Sequence, residues 1–118
     1  MDQEDINKIE KIIADRKKAH RYYTDNSPVY NSFVQMEEAT FIPGHLDKKY
    51  KEMIAIGISI RINCESCLEW HIKQALESGA SREEIVEAIE VGIEMGGGPA
   101  TVSSRFALNV LEYYLEPH

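Results

Sequence analysis

The stretch "NCESCLEWHIKQ", residues 63–74, contains both cysteines of the chain, its only tryptophan and a histidine. Cys67 follows Cys64 by three residues, and His71 follows Cys67 by four. If Asn63 caps a helix here, both cysteines lie in its first turn and all three side chains share one face. A helix start stabilises a thiolate, and a nearby imidazole can accept the thiol proton. The spacing therefore indicates thiol chemistry, including closure of a disulfide.

Two other interpretations of this stretch stay open. A buried cysteine is often an inert small hydrophobe, and a histidine on a helix face is often a structural residue. Zinc would find three soft ligands at this spacing, but a structural zinc site needs a fourth. The other histidines, His20, His45 and His118, stand apart in the sequence. We therefore expect neither a metal nor a cofactor.

Length and composition exclude several classes of function. The chain has 118 residues, of which 43% are hydrophobic, so we expect a single domain over residues 1–118. The net charge of −7 argues against a nucleic-acid partner. The chain lacks a long apolar run, and its acidic N-terminus does not resemble a signal peptide, so we expect a cytoplasmic protein without a membrane partner. The basic cluster "RKKAHR", residues 16–21, reads as a solvated helix face.

Helical signals run through almost the whole chain, and no segment offers a strand partner for a sheet. The periodicity predicts an all-α bundle of about six helices, with boundaries at capping residues, prolines and glycines. The predicted helices run to about Thr24, from Ser27-Pro28 to about Ala39, from Asp47, from Asn63 to Gly79, from the "SREE" capping box at 81–84, and from Pro99 to about Leu115.

Two apolar segments bear on assembly. The third predicted helix contains "MIAIGISIRI", residues 53–62, which is apolar on most sides and is expected to be central and buried. The first helix carries an apolar stripe that must pack either on its own bundle or on a neighbouring chain. A small bundle cannot easily hide both segments, so the pattern favours a homo-oligomer. The stripe consists of Ile6, Ile9, Ile12 and Ile13.

The chain resembles the carboxymuconolactone decarboxylase superfamily, and within it the alkylhydroperoxidase D-like (AhpD-like) branch. That branch carries the motif Glu-x11-Cys-x2-Cys-x3-His, and Glu52, Cys64, Cys67 and His71 match every spacing. The flanking residues 46–92 are similar as well, whereas the chain ends resemble the branch only loosely. The resemblance implies an AhpD-like helical bundle. It also implies a thiol-dependent oxidoreductase, of the alkylhydroperoxidase or peroxiredoxin type, that reduces peroxides or disulfides.

The resemblance also implies a role for each motif residue. Cys67 is the attacking thiol, and Cys64 is the partner that donates a proton and then closes the disulfide. His71 links the thiols to Glu52, which relays a proton to the histidine. The helix dipole by itself favours Cys64 as the thiol of lower pKa, because Cys64 is nearer the helix start. On this point we follow the resemblance and assign the attack to Cys67.

One position departs from the branch. Characterised peroxidase members carry a second histidine next to the attacking thiol, where this chain has Ser66. A serine cannot act as a base at neutral pH, and Glu65 beside it would raise the pKa of a nearby thiol. The departure puts efficient peroxide reduction in question more than disulfide exchange.

The resemblance further implies a lipoyl protein or a thioredoxin-like protein as the electron donor, and a homotrimer or homohexamer. Two other classes of function stay open. One is a γ-carboxymuconolactone decarboxylase-like lyase, which does not rely on a cysteine pair. The other is a non-catalytic helical oligomer with incidental cysteines. Only the oxidoreductase loses both thiols together on oxidation and recovers them with a dithiol.

Overall fold

The computed structural model describes residues 1–117, and that part of the chain folds into six α-helices without a strand. The helices are α1 (Gln3–Asn26), α2 (Pro28–Phe41), α3 (Lys48–Ile62), α4 (Glu65–Glu77), α5 (Arg82–Gly96) and α6 (Gly98–Leu115). This confirms the all-α prediction. Within residues 1–117, no helix has the length and apolar character that a bilayer crossing requires. His118 lies outside the described residues.

Local sequence signals explain most helix boundaries. The Ser27 side chain accepts a hydrogen bond from the Tyr30 backbone N–H at 3.1 Å, and Pro28 occupies the first turn of α2. Ser81 and Glu84 form the predicted reciprocal capping box at the start of α5. Each of these side chains satisfies a backbone group that a helix end leaves without a partner.

The boundary between α3 and α4 differs from the prediction. Asn63 does not cap α4, because it ends α3 in the left-handed conformation, with φ of 56°. Asparagine tolerates that conformation better than most residues. Its side-chain Oδ1 also accepts a hydrogen bond from Ser103 Oγ at 2.6 Å. Cys64 is the N-cap of α4 instead, so it precedes the first turn, and only Cys67 lies within it.

The core lies where α3 packs among α4, α5 and α6. α3 contributes Ile56 and Ile60, which are fully buried. α5 approaches α3 closely at Gly92, where an added Cβ would lie 2.6 Å from Ile60 Cβ. A larger residue at this crossing would therefore push the two helices apart.

Three of the four residues of the apolar stripe of α1 pack on their own chain. Ile9 is fully buried in the core, and Ile12 and Ile13 pack against it. α1 thereby lies across α4 and α6. Of the two possibilities that the sequence left open for this stripe, the structure selects the chain's own bundle.

The prediction that α3 is buried on most sides is wrong for one face. That face adjoins α5 and forms a broad groove of about 720 Å³. Six of its large apolar side chains are between 44% and 66% exposed. We call this surface the α3–α5 face, and its apolar members are Leu46, Tyr50, Ile54, Ile58, Val91 and Met95.

We propose that further copies of this chain cover the α3–α5 face. Soluble monomers rarely expose a contiguous apolar surface of this kind, and such patches mark interfaces. The groove also contains charges of both signs, Arg61 on α3 and Glu84 and Glu87 on α5. Mixed charges around an apolar centre can be matched by a copy in another orientation, as closed oligomers require. The trimer or hexamer implied by the resemblance needs such a self-contact.

Replacing Ile58 with Glu tests this proposal, because it places a charge in the middle of the α3–α5 face. We expect Ile58→Glu to lower the mass measured by light scattering from that of an oligomer to that of a monomer. Val29→Glu is the matched control, because Val29 lies on α2 and is 82% exposed. A wild-type protein that is a monodisperse monomer at micromolar concentration would contradict the oligomer. An unchanged mass for Ile58→Glu would exclude this face.

Candidate functional site

Cys64 and Cys67 are joined by a disulfide bond, with an S–S distance of 2.06 Å. The bond lies at the turn that leads into α4. The Sγ of Cys64 accepts a hydrogen bond from the Cys67 backbone N–H at 3.2 Å, in the position where a capping oxygen normally lies. The structure therefore represents the oxidised state of the pair.

A cavity of about 360 Å³ opens beside the disulfide, between α1, α2 and α4. Cys67 lines it, whereas Cys64 is not part of the lining. Tyr30 and Phe33 of α2 and Trp70 of α4 supply aromatic walls. Of the two cysteines, Cys67 is therefore the one that borders the cavity. Access thus favours Cys67 for the attack, in contrast to the dipole argument.

His71 lines the same cavity and is held by a buried carboxylate. Its Nδ1 lies 2.7 Å from Glu52 Oε1, and Glu52 on α3 is 2% exposed. With the carboxylate as acceptor, Nδ1 carries the hydrogen and Nε2 keeps a lone pair that can accept a proton. Lys48 Nζ lies 3.4 Å from the other oxygen of Glu52, and the ring of Phe41 stacks on the imidazole. The orientation of His71 is therefore fixed by residues of α2 and α3.

A second cavity, of about 350 Å³, lies behind the imidazole. Glu52, Lys48 and Phe41 line this second cavity, and Trp70 lines both cavities. His71 lies on the side of the disulfide, and its carboxylate partner lies on the other side. The hydrogen-bonded His71–Glu52 pair thus connects the two cavities.

The site contains a buried ion pair that sequence reasoning missed. Glu69 of α4 is fully buried and accepts hydrogen bonds from Arg16 on one oxygen and from the Tyr114 hydroxyl on the other. Burial and the bond to Glu69 raise the pKa of Tyr114, so its hydroxyl remains a donor. The sequence contained a signal that Glu69 is buried. Glu69 follows the apolar Leu68 and precedes Ile72 by one turn, which places it on the buried side of α4.

The interpretation of residues 16–21 as a solvated helix face holds for residues 17–21, which are exposed, but is wrong for Arg16, whose side chain is 25% exposed. Arg16, Lys17 and His20 line the disulfide cavity. The guanidinium of Arg16 lies over the Trp70 ring, 5.0 Å from its centroid. His20 Nδ1 is 2.8 Å from the Tyr30 hydroxyl. This basic segment of α1 therefore forms one wall of the site.

Glu65 and Ser66, the two residues between the cysteines, have different surroundings. Glu65, expected to raise a thiol pKa, forms an ion pair with Lys8 of α1 at 2.7 Å. The positive charge of Lys8 therefore offsets the negative charge of Glu65. Ser66 lines the disulfide cavity at the position where the resemblance leads one to look for a second histidine. Across residues 1–117, no three His, Cys, Asp or Glu side chains are arranged to hold a metal ion.

Comparison with known proteins gives consistent results. The model of the carboxymuconolactone decarboxylase family matches residues 27–110. Uncharacterized protein 4 in the cox locus of Paracoccus denitrificans is 38% identical over 82 residues, which are 70% of this chain and 74% of that protein. An uncharacterized protein of Cupriavidus necator is 35% identical over 78 residues, covering 66% of this chain and 69% of that protein.

Two solved structures of the same family resemble the fold over most of the chain. A carboxymuconolactone decarboxylase family protein of Legionella pneumophila, in its apo form, gives a TM-score of 0.88 at 28% identity, covering 93% of this chain and 99% of that chain. A family protein of Thermotoga maritima, for which an involvement in antioxidative response has been suggested, gives 0.81 at 28% identity, covering 88% and 89%. The chain therefore belongs to the carboxymuconolactone decarboxylase family.

Proposed function

We propose that the protein is a thiol-dependent oxidoreductase of the AhpD-like type, which reduces peroxides or disulfides through its cysteine pair. One observation carries the proposal. Cys67, disulfide-bonded to Cys64, lines an aromatic-walled cavity that also contains His71, and His71 is hydrogen-bonded to the buried Glu52. The suggested antioxidative role of the Thermotoga maritima relative supports the same class of reaction.

In the oxidative half-reaction, reduced Cys67 acts as the nucleophile. Its thiolate attacks the terminal oxygen of a hydroperoxide, so that an S–O bond forms and the O–O bond breaks. The alkoxide takes a proton and leaves as an alcohol. The Cys64 thiol then attacks the Cys67 sulfenic acid, water departs, and the disulfide forms. Cys64 is suited to this step because its sulfur is bonded to Cys67 in the oxidised structure.

In the reductive half-reaction, a dithiol donor returns two electrons. Its thiolate attacks Cys67, the sulfur on the cavity side, and Cys64 departs as a thiolate. The Cys67 N–H that points at Cys64 Sγ would stabilise this leaving group. The second thiol of the donor then attacks the donor sulfur of the mixed disulfide, Cys67 departs as a thiolate, and the donor leaves as a cyclic or protein disulfide. A lipoyl arm or a thioredoxin-like protein has the required pair of thiols.

Proton transfer falls to His71 and Glu52. Nε2 of His71 can take the proton of the Cys67 thiol, and the Glu52 carboxylate stabilises the imidazolium that results. Because Glu52 lines the second cavity, the proton has a route to solvent that avoids the substrate side. The pair therefore serves both the activation of the thiol and the later protonation of the leaving oxygen.

Oxidation of the reduced protein by a stoichiometric hydroperoxide tests the proposed function. We expect both thiols of each chain to be lost together, with a mass lower by two hydrogens, and to return after treatment with a dithiol. Thiol titration and intact-protein mass spectrometry provide the measurements, with protein alkylated beforehand as the control. Thiols that persist, a chain that forms only intermolecular dimers, or a tightly bound zinc ion would contradict the proposal.

The proton route predicts that Glu52→Gln and His71→Ala act on one step. Each should slow oxidation of the reduced thiols by about a hundredfold, as loss of a general base does. Because both residues serve the same proton, the double variant should be little slower than the slower single variant. Stopped-flow kinetics measure the rates, and circular dichroism monitors the fold. Glu77→Gln, at an exposed position of α4, is the control. Multiplicative losses would show that the two residues act independently.

A further inference from the structure

We propose that Arg16 is a positioning residue of the redox site, whose guanidinium stabilises the thiolate of reduced Cys67. The inference deepens the proposed function and rests on it. Ser66 stands where characterised peroxidase members of the branch carry a second histidine. A cation at the wall of the cavity would supply the charge that this histidine position lacks. Arg16 comes from α1, a helix that the motif does not include.

The Arg16–Glu69 ion pair has its arginine on the side of the cavity. Glu69 is fully buried and does not line the cavity, whereas the Arg16 side chain is 25% exposed and does. The second oxygen of Glu69 is occupied by the Tyr114 hydroxyl on the side of α6. The pair therefore presents its positive end to the cavity that Cys67 lines.

Two further contacts hold the guanidinium beside the cysteine turn. It lies over the Trp70 ring, one helical turn beyond Cys67. Arg16 Nη1 is also 3.5 Å from the carbonyl oxygen of Ser66, the residue that precedes Cys67. Contacts to Trp70, Glu69 and Ser66 thus fix the cation from three points on α4. A fixed cation does not need to be reorganised when a thiolate forms.

The other charged and titratable groups around Cys67 are largely balanced among themselves. Glu65 pairs with Lys8, and Glu52 pairs with His71 and Lys48. Lys17, exposed on α1, and Glu37 on α2 line the cavity with opposite charges. The cavity-lining titratable groups are Arg16, Lys17 and His20 from α1, Tyr30 and Glu37 from α2, and Cys67 and His71 from α4.

Guanidinium chemistry suits this role. Arginine stays protonated at every relevant pH, so its charge is constant while Cys67 and His71 exchange a proton. The step itself is an ionisation: the Cys67 S–H bond breaks, the electron pair stays on sulfur, and the proton passes to His71 or to solvent. Since the pair is mostly buried, its effect should resist salt, unlike that of a surface lysine.

The experiment compares two variants that differ only at residue 16. In a Cys64→Ser background, so that Cys67 alone titrates, we compare Glu69→Gln with Glu69→Gln plus Arg16→Gln. Glu69→Gln leaves Arg16 at the cavity wall, where its side chain is 25% exposed, and the double variant leaves neither charge of the pair. Ultraviolet absorbance of the thiolate against pH gives the Cys67 pKa, and the rate of alkylation by iodoacetamide at neutral pH gives its reactivity.

We expect the loss of Arg16 to raise the Cys67 pKa and to slow alkylation by about 3- to 10-fold, the effect of one nearby charge in a partly buried site. Glu69→Gln plus Lys18→Gln removes a positive charge from the same helix outside the cavity lining and should change the rate by less than about 2-fold, because an exposed lysine is well screened. Equal Cys67 pKa values with and without Arg16 would overturn the inference and reduce Arg16 to a structural tie between helices.

Folding and the parent proposal are checked separately. If the double glutamine variant does not fold, Arg16→Met with Glu69→Met replaces the ion pair with apolar side chains. A rise in the Cys67 pKa relative to the Cys64→Ser parent is expected, because the positive end of the pair is lost from the cavity wall. An unchanged pKa there would also overturn the inference. If Arg16 changes the pKa but peroxide does not oxidise the wild type, the proposed function fails while the inference stands. If peroxide oxidises the wild type but the loss of Arg16 leaves the Cys67 pKa unchanged, only the inference fails.

Discussion

The turn between α3 and α4 is the constraint on which the rest of the site depends. Asn63 ends α3 in a left-handed conformation, and Cys64 immediately begins α4 as its N-cap. This short connection sets where both sulfur atoms lie relative to the first N–H groups of α4. Cys64 faces the backbone of the turn, and Cys67 faces the cavity. Two chemically identical side chains thereby acquire different surroundings, which is the basis of the different roles that we propose for them.

Two buried carboxylates bind the neighbouring helices to this turn. Glu52 of α3 and Glu69 of α4 are both almost inaccessible to solvent, and burial of an unpaired charge would be strongly destabilising. Each carboxylate is satisfied by a partner that lines the disulfide cavity: His71 for Glu52 and Arg16 for Glu69. Interactions that offset the cost of burying charge therefore also orient the groups that face the disulfide cavity.

The sequence predicts the helices and the motif well, because both depend on local signals. Caps at Ser27 and Ser81 and the spacing of the cysteine motif need no knowledge of tertiary structure. The cap at Asn63 was misplaced by one residue, since Asn serves equally at the end of one helix and the start of the next. Arg16 was missed for a different reason. Its partner Glu69 is 53 residues away, and periodicity carries no information on such pairing.

The exposed face of α3 was also hard to predict from the sequence. A helix that is apolar all round is normally buried, yet Ile54 and Ile58 face outward beside α5. Their pattern is the same as that of a core helix, and only the arrangement of the other helices shows which side remains uncovered. The aromatic residues posed the converse problem. Trp70 and Phe33 could have belonged to the core, but they form the wall that gives Cys67 its apolar surroundings.

The proposal on which the function depends is that Cys67 attacks the substrate and that Cys64 then attacks the Cys67 sulfenic acid to form the disulfide. It is tested most directly by treating reduced Cys64→Ser protein with one equivalent of hydroperoxide and mapping the modified residue by mass spectrometry after trapping with a sulfenic-acid reagent. We expect one added oxygen on Cys67, captured as the trapped sulfenic acid, because Cys67 borders the cavity and no second thiol remains to displace the oxygen. An unmodified Cys67 in this variant, together with a sulfenic acid on Cys64 in the reciprocal Cys67→Ser variant, would contradict it.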